Sequence, residues 1–158
     1  MSRVLFVCLG NICRSPAAEG IFLKKLSDSP LKNKLIVDSA GTGGWHEGEA
    51  PDSRMIFHAG QRGYDLSQLE ARQFTREDFD RFDFIITMDN SNYQNVLRLD
   101  PDLKHAHKVK KMVQFCKIHD VPEVPDPYPQ GPDGFEHVLD ILEDGCTQLL
   151  EMLEEELT

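Results

Sequence analysis

Cys8 and Arg14 stand six residues apart in Val7-Cys8-Leu9-Gly10-Asn11-Ile12-Cys13-Arg14-Ser15-Pro16, at the end of an apolar run. A thiolate is a nucleophile, and a guanidinium is a planar fork that matches two oxygens of a tetrahedral oxyanion. Residues 4–7 are short, apolar and rich in valine, as in a strand buried within a parallel sheet. Ser15 is a favoured N-cap, and Pro16 suits the first turn of a helix. The residues between Cys8 and Arg14 must then form a loop where a strand ends and a helix begins. Backbone N–H groups and the helix N-terminus converge there, which makes a site for an anion and favours the ionised form of the thiol. A thiolate beneath a cradled phosphate is set for in-line attack on phosphorus, with the amides stabilising charge on the equatorial oxygens. The alternative is that Cys8 is a small buried residue ending a core strand, which leaves Arg14 and the Gly10-Asn11 pair without a purpose.

An alkoxide or phenolate leaving group needs a proton donor. Asp126 is the candidate, in the proline-braced run Pro125-Asp126-Pro127-Tyr128-Pro129. Flanking prolines lower the entropy of holding one carboxyl in place, although Asp-Pro is also an ordinary turn pair.

With these residues in view, the chain resembles the low-molecular-weight protein tyrosine phosphatases over nearly its whole length. The resemblance rests on residues 7–19, on Asp38-Ser39-Ala40-Gly41-Thr42, on Ala71-Arg72-Gln73, on Met88-Asp89 and on Asp126-Pro127-Tyr128. It implies phosphotyrosine hydrolysis with Cys8 as nucleophile, Arg14 as phosphate clamp and Asp126 as general acid. The same aspartate, as carboxylate, then activates the water that cleaves the phosphocysteine. The loop residues Leu9, Gly10, Asn11, Ile12 and Cys13 are expected to bind the phosphate. Trp45 and Tyr128 resemble the aromatic walls of the family's cleft, and His46 lies beside Trp45.

Asn11 tolerates the left-handed conformation a phosphate loop needs, and the family implies that its side chain locks the loop with Ser39 as partner. Ser15 serves as helix cap or as donor to the thiolate, and Asp89 is expected to brace Arg14 or a backbone amide. Leu69 stands where many members carry a histidine, which removes one implied loop hydrogen bond. Cys13 either fills space behind the loop or closes a reversible disulfide with Cys8, as the family pairing implies. Cys116 and Cys146 read as core thiols.

A chain of 158 residues is expected to be one domain, 1–158. The net charge of −10 speaks against nucleic acid or an anionic membrane as partner. No apolar run matches a membrane span, and the chain is expected to begin on a strand rather than a signal peptide. The four cysteines lack metal spacing, so neither metal nor cofactor is expected. A working thiolate suits a reducing compartment, hence a cytoplasmic location, with phosphotyrosine proteins as partners and a monomer or weak homodimer as the assembly.

Strands are expected at 4–7, 35–40, 84–88 and 109–113, and helices at 16–26, 52–63 and 91–99. A short turn capped by Thr75 follows at 75–80, and a long helix runs from Phe135 to Leu153. The proline-rich segment 121–132 has no regular element. The fold class is α/β: a three-layer, four-stranded parallel sheet with helices on both faces, flavodoxin-like in topology, with the ligand at the strand ends. Rival readings are a protein-arginine phosphatase, which carries threonine where this chain has Ile12, and an arsenate reductase, which needs further relay cysteines. A phosphate- or FMN-binding module is the non-enzymatic rival.

Overall fold

A computed structural model describes residues 1–158. Its four parallel strands are β1 (Ser2–Cys8), β2 (Leu35–Gly41), β3 (Phe84–Thr87) and β4 (Val109–Lys111), in spatial order β2-β1-β3-β4. Its helices are α1 (Arg14–Leu26), α2 (Ser53–Gln61), α3 (Asp78–Arg81), α4 (Asn90–Arg98) and α5 (Pro132–Leu157). The order reverses direction at β1, so the loop leaving β1 opens at the switch point where parallel sheets bind ligands.

Strand alternation sorts the core into two layers. Val4, Phe6 and Cys8 face one side, packed with Ala18, Ile21 and Phe22 of α1, Met55 of α2 and a long stripe of α5 that includes Leu139, Leu142 and Leu149. Leu5 and Val7 face the other, against Phe74, Phe79 of α3 and Val96 of α4. A strand buried on both faces explains why β1 reads as continuously apolar.

Several boundaries differ from the sequence reading. Helix α1 starts at Arg14, with Cys13 at the N-cap position and no side-chain cap, so Ser15 does not cap it. Pro16 still sits in the first turn, where its missing N–H is harmless. Helix α2 ends at Gln61, and Gly63 at φ +88° lets the N–H groups of Gly63 and Tyr64 return to Gly60 and Ala59. Thr75 is not a cap: the Asp78 carboxylate accepts its N–H instead. Strand β4 has only three residues before a 3₁₀ turn at Met112–Gln114. Helix α4 is capped by Asp89, which accepts the N–H of Asn92. No helix is long and apolar enough to cross a membrane.

The irregular segment before α5 is pinned at both ends. Asp144 of α5 accepts the backbone N–H groups of Lys117, Ile118 and His119. Burial works against that carboxylate's charge, but these donors and the His119 ring hold its pKa at about 2. Further on, the N–H of Val124 reaches the carbonyl of Met88 at 2.9 Å. Asp144→Ala removes one acceptor from three amides and is expected to cost about 2–3 kcal/mol in urea unfolding. Hydrogen exchange at residues 117–119 should accelerate in the variant. Unchanged exchange there would show that the carboxylate does not hold the segment.

Candidate active site

The loop 9–13 has a fixed polarity. Its carbonyls turn outward: Cys8 accepts from the N–H of Thr42, Leu9 from Gly43, Ile12 from Asp52 and Cys13 from Ala17. The N–H groups of Leu9, Gly10, Asn11, Ile12 and Cys13 donate to no protein acceptor. Strand β2 closes in beneath. A Cβ on Gly41 would lie 2.8 Å from the Leu9 carbonyl oxygen and 2.9 Å from the Asn11 nitrogen, so only glycine fits there.

Asn11 makes the loop's turn at φ +58°. Three bonds hold it: Nδ2 donates to Ser15 Oγ at 2.8 Å and Ser39 Oγ at 3.0 Å, and Oδ1 accepts the Arg72 N–H at 2.9 Å. The last supplies from the backbone a loop contact of the kind that Leu69 removes, while Leu69 itself packs against the core. Asn11 is not among the residues lining the cleft, so its side chain supports the loop from behind.

Cys8 Sγ lies 2.9 Å from Ser15 Oγ. The hydroxyl of Ser15 already accepts from Asn11, which leaves its hydrogen for the sulfur or, at 3.3 Å, for the Ala40 carbonyl. Arg14 is 3% exposed and uses only Nη1 on protein, donating to Asp89 Oδ2 at 2.6 Å and the Val124 carbonyl at 3.0 Å. Its Nε and Nη2 meet no protein acceptor. Burial opposes the guanidinium's charge, but the Cys8 sulfur and Asp89 hold its pKa above the ordinary value.

Cys8 and Arg14 line a cleft of about 220 Å³ with Leu9, Gly10, Ile12, Cys13, Trp45, His46, Asp126 and Tyr128. Trp45 is 70% exposed and lies over Gly43, where a Cβ would meet its ring at 1.9 Å. Tyr128 is 52% exposed, and the Arg54 guanidinium sits 5.1 Å from its ring centroid. Asp126 is exposed at the rim, and its Oδ1 accepts the N–H of Tyr128 at 3.0 Å. Val124, bonded to Arg14, lies two residues from Asp126, which ties the Asp126 segment to Arg14. His46 packs against Gly10 and pairs with Glu49 at 2.9 Å.

Burial pushes the Cys13 thiol far above its ordinary range, with the Asp52 and Cys8 charges adding to it. Cys116 is pushed up to about 11 by burial and then by Asp144, and Cys146 is fully buried in the α5 stripe. No three His, Cys, Asp or Glu side chains gather at metal-ligand spacing.

Glu19 escaped the sequence reading as a working residue. It is 7% exposed, and its Oε1 accepts from Ser39 Oγ at 2.6 Å. The result is one directed chain: Ser39 donates to Glu19, so it can only accept from Asn11, whose other N–H bonds Ser15. The available signal was an acid four residues after Ser15, on the helix face shared with Ala18 and Phe22.

Burial, with some help from Asp38 and against the Ser39 hydrogen bond, pushes the Glu19 carboxyl up to about 7 from an ordinary value of 4.5. A carboxyl that keeps its proton longer in the folded chain favours folding at low pH. That contribution is complete below about pH 4.5 and is lost as the pH rises through 7. Glu19→Gln keeps the acceptor for Ser39 and cannot ionise. Between pH 5 and 8, wild type should lose about 2–3 kcal/mol more stability than the variant in urea unfolding. Equal losses would refute the assignment.

The comparisons with known proteins agree with this geometry. Residues 3–158 match the family described as low molecular weight phosphotyrosine protein phosphatase. A Synechocystis sp. protein, whose name places it provisionally among the low molecular weight protein-tyrosine-phosphatases, is 50% identical over 155 residues, covering 98% of each chain. The low molecular weight protein-tyrosine-phosphatase YfkJ of Bacillus subtilis is 40% identical over 156 residues, covering 99% of this chain and 98% of that one. The crystal structure of a protein tyrosine phosphatase from Entamoeba histolytica, with Hepes in its active site, covers 100% of both chains with a TM-score of 0.95 at 46% identity. With the loop, the clamp and the cleft as described, the chain belongs to the low molecular weight protein tyrosine phosphatase family.

Proposed function

We propose that the chain hydrolyses phosphotyrosine in proteins through a phosphocysteine, with Cys8 as nucleophile, Arg14 as clamp and Asp126 as acid and then base. The observation that carries this reading is the run of N–H groups from Leu9 to Cys13 that bond no protein acceptor, in the loop that lines one cleft with Cys8 and with Arg14, two of whose nitrogens are free. Five amides and a guanidinium fork suit the three non-bridging oxygens of a phosphoryl group. The Entamoeba relative carries Hepes, a sulfonate, in its active site.

In the first step the Cys8 thiolate attacks phosphorus, and the bond from phosphorus to the aryl oxygen breaks. Asp126 gives its proton to the departing phenolate. The amides and Arg14 hold the charge on the equatorial oxygens, and Ser15 Oγ donates to the sulfur when it leaves again. In the second step the Asp126 carboxylate takes a proton from water, whose oxygen attacks phosphorus. The sulfur–phosphorus bond breaks, and phosphate departs with the thiolate restored. Trp45 and Tyr128 grip the aryl ring, which in turn shields Asp126 from solvent.

Ile12 supports tyrosine over arginine as the phosphorylated side chain, since it lines the cleft with bulk and offers no hydroxyl. Burial of Cys146 argues against a thiol relay of the arsenate reductase kind. A Cys8–Cys13 disulfide remains part of the reading as a protective state formed under peroxide, with the high Cys13 thiol acting only slowly.

Cys8→Ser should abolish hydrolysis of p-nitrophenyl phosphate while still binding vanadate. Arg14→Ala should lower kcat/KM by about 10²–10³-fold. Asp126→Ala should slow phenyl phosphate by about 10²–10⁴-fold and p-nitrophenyl phosphate far less, because nitrophenolate leaves without help. Equal slowing of both substrates would remove Asp126 from the acid's role, and phosphorus never trapped on Cys8 would remove the covalent step.

A further inference from the structure

A second depression adjoins the catalytic cleft and shares Leu9 and Trp45 with it. It encloses about 710 Å³, and the absence of side chains at Gly43 and Gly44 helps open it. Its only charged lining residues are Arg76 and Arg98, both exposed. Neither has a carboxylate partner. The Arg98 side chain bonds that of Asn95 alone, and the Arg76 side chain bonds nothing, whereas Arg14, Arg54, Arg62 and Arg72 are each paired with Asp or Glu and the remaining two, Arg3 and Arg81, do not line the groove. Glu47 bonds the N–H of Gln73 at the groove's edge without lining it. Two unneutralised cations thus share one groove in a chain of net charge −10.

We infer that this groove receives acidic side chains of the phosphoprotein that flank the phosphorylated tyrosine, so that Arg76 and Arg98 set a preference among substrates. The inference rests on the phosphotyrosine reading above. A peptide whose aryl ring lies against Trp45 passes that residue and enters the groove. Extended chain advances about 3.3 Å per residue, so acids one to three positions from the phosphotyrosine reach it within about 10 Å. Thr75 and Asn95 add polar side chains for the peptide backbone. Exposed charges at an interface rim change association and its salt dependence, by factors of a few per charge. The rest of the acidic surface repels such a peptide, and beyond roughly 8 Å that repulsion is screened at physiological salt.

The test measures kcat/KM for two phosphotyrosine peptides of equal length, one with Asp or Glu at the flanking positions on both sides and one with Gln there. Wild type should prefer the acidic peptide by about 3–10-fold at low salt, with the preference fading in about 0.5 M NaCl. Arg76→Glu with Arg98→Glu should erase or invert the preference, while p-nitrophenyl phosphate and the neutral peptide change less than about twofold. Arg76→Lys with Arg98→Lys should retain most of it, which separates charge from packing. The inference falls if wild type shows no preference, or if the charge-reversed protein keeps it. It also falls if charge reversal only shifts sedimentation between dimer and monomer, which would assign the groove to a second copy. Failure of wild type to hydrolyse the neutral peptide and p-nitrophenyl phosphate would overturn the phosphotyrosine reading itself, a distinct outcome.

Discussion

The direction of the peptide groups between Cys8 and Arg14 governs the rest of the site. Outward carbonyls and inward amides require a left-handed residue, and Asn11 takes it at φ +58°. For an L-residue that conformation costs about 1–2 kcal/mol, less for asparagine. Three hydrogen bonds, to Ser15, Ser39 and the Arg72 N–H, offset it at about 1 kcal/mol each. The strain is therefore covered by groups outside the loop, and an anion need not supply the energy that shapes its own site. Gly41 belongs to the same constraint, because β2 must approach the loop's backbone more closely than any side chain permits.

An acidic protein that binds a dianion must do so with a local field. Here the sources are short-ranged: five amides, a helix N-terminus worth about half a positive charge, and one buried guanidinium. Asp89 looks like an opponent, since it brings negative charge within 2.6 Å of Arg14. Its effect is to fix the fork. Nη1 is committed to Asp89 and Val124, so the plane of the guanidinium is set and Nε and Nη2 remain for oxygen ligands. Asp89 can hold that position because its other oxygen caps α4.

Local chemistry was legible in the residues themselves; of the long-range pairings, only Asn11 with Ser39 and Asp89 with Arg14 were expected, the former through the family resemblance. The change from a continuous apolar run to helical spacing around residues 8–16 placed the loop. The succession of strands separated by helices and the Phe135–Leu153 stripe placed the two-faced sheet and its last helix. Of the two roles open to Ser15 in the sequence, the cap does not form, for a physical reason. A side-chain cap would consume an N–H at the start of α1 that an anion site leaves open, and the hydroxyl turns to the Cys8 sulfur instead. The bond from the Arg72 N–H to Asn11, and that from Ser39 to Glu19, join residues 61 and 20 positions apart. Only the register of β1 against β2 brings Ser39 opposite Phe6, near the loop, and no spacing rule reports it. The truncation of β4 was likewise invisible, because its apolar residues continue into a 3₁₀ turn.

Asp126 and Arg14, the proposed acid and clamp, are not positioned independently. Val124 is fixed twice, by the Met88 carbonyl at the end of β3 and by Arg14 through its own carbonyl. Between Val124 and Asp126 lies only Pro125, whose fixed φ leaves few ways to move the carboxyl relative to the guanidinium. The Tyr128 N–H, bonded to Asp126 Oδ1, removes further freedom. In the proposed mechanism Arg14 is thus the shared reference for both halves of the reaction: one side of its guanidinium fixes the segment that carries Asp126, and the other is left open to the phosphoryl group. A change that rotated Arg14 would disturb the Val124–Asp126 segment with it, so disturbance at Asp89 reaches the proposed acid through one backbone carbonyl.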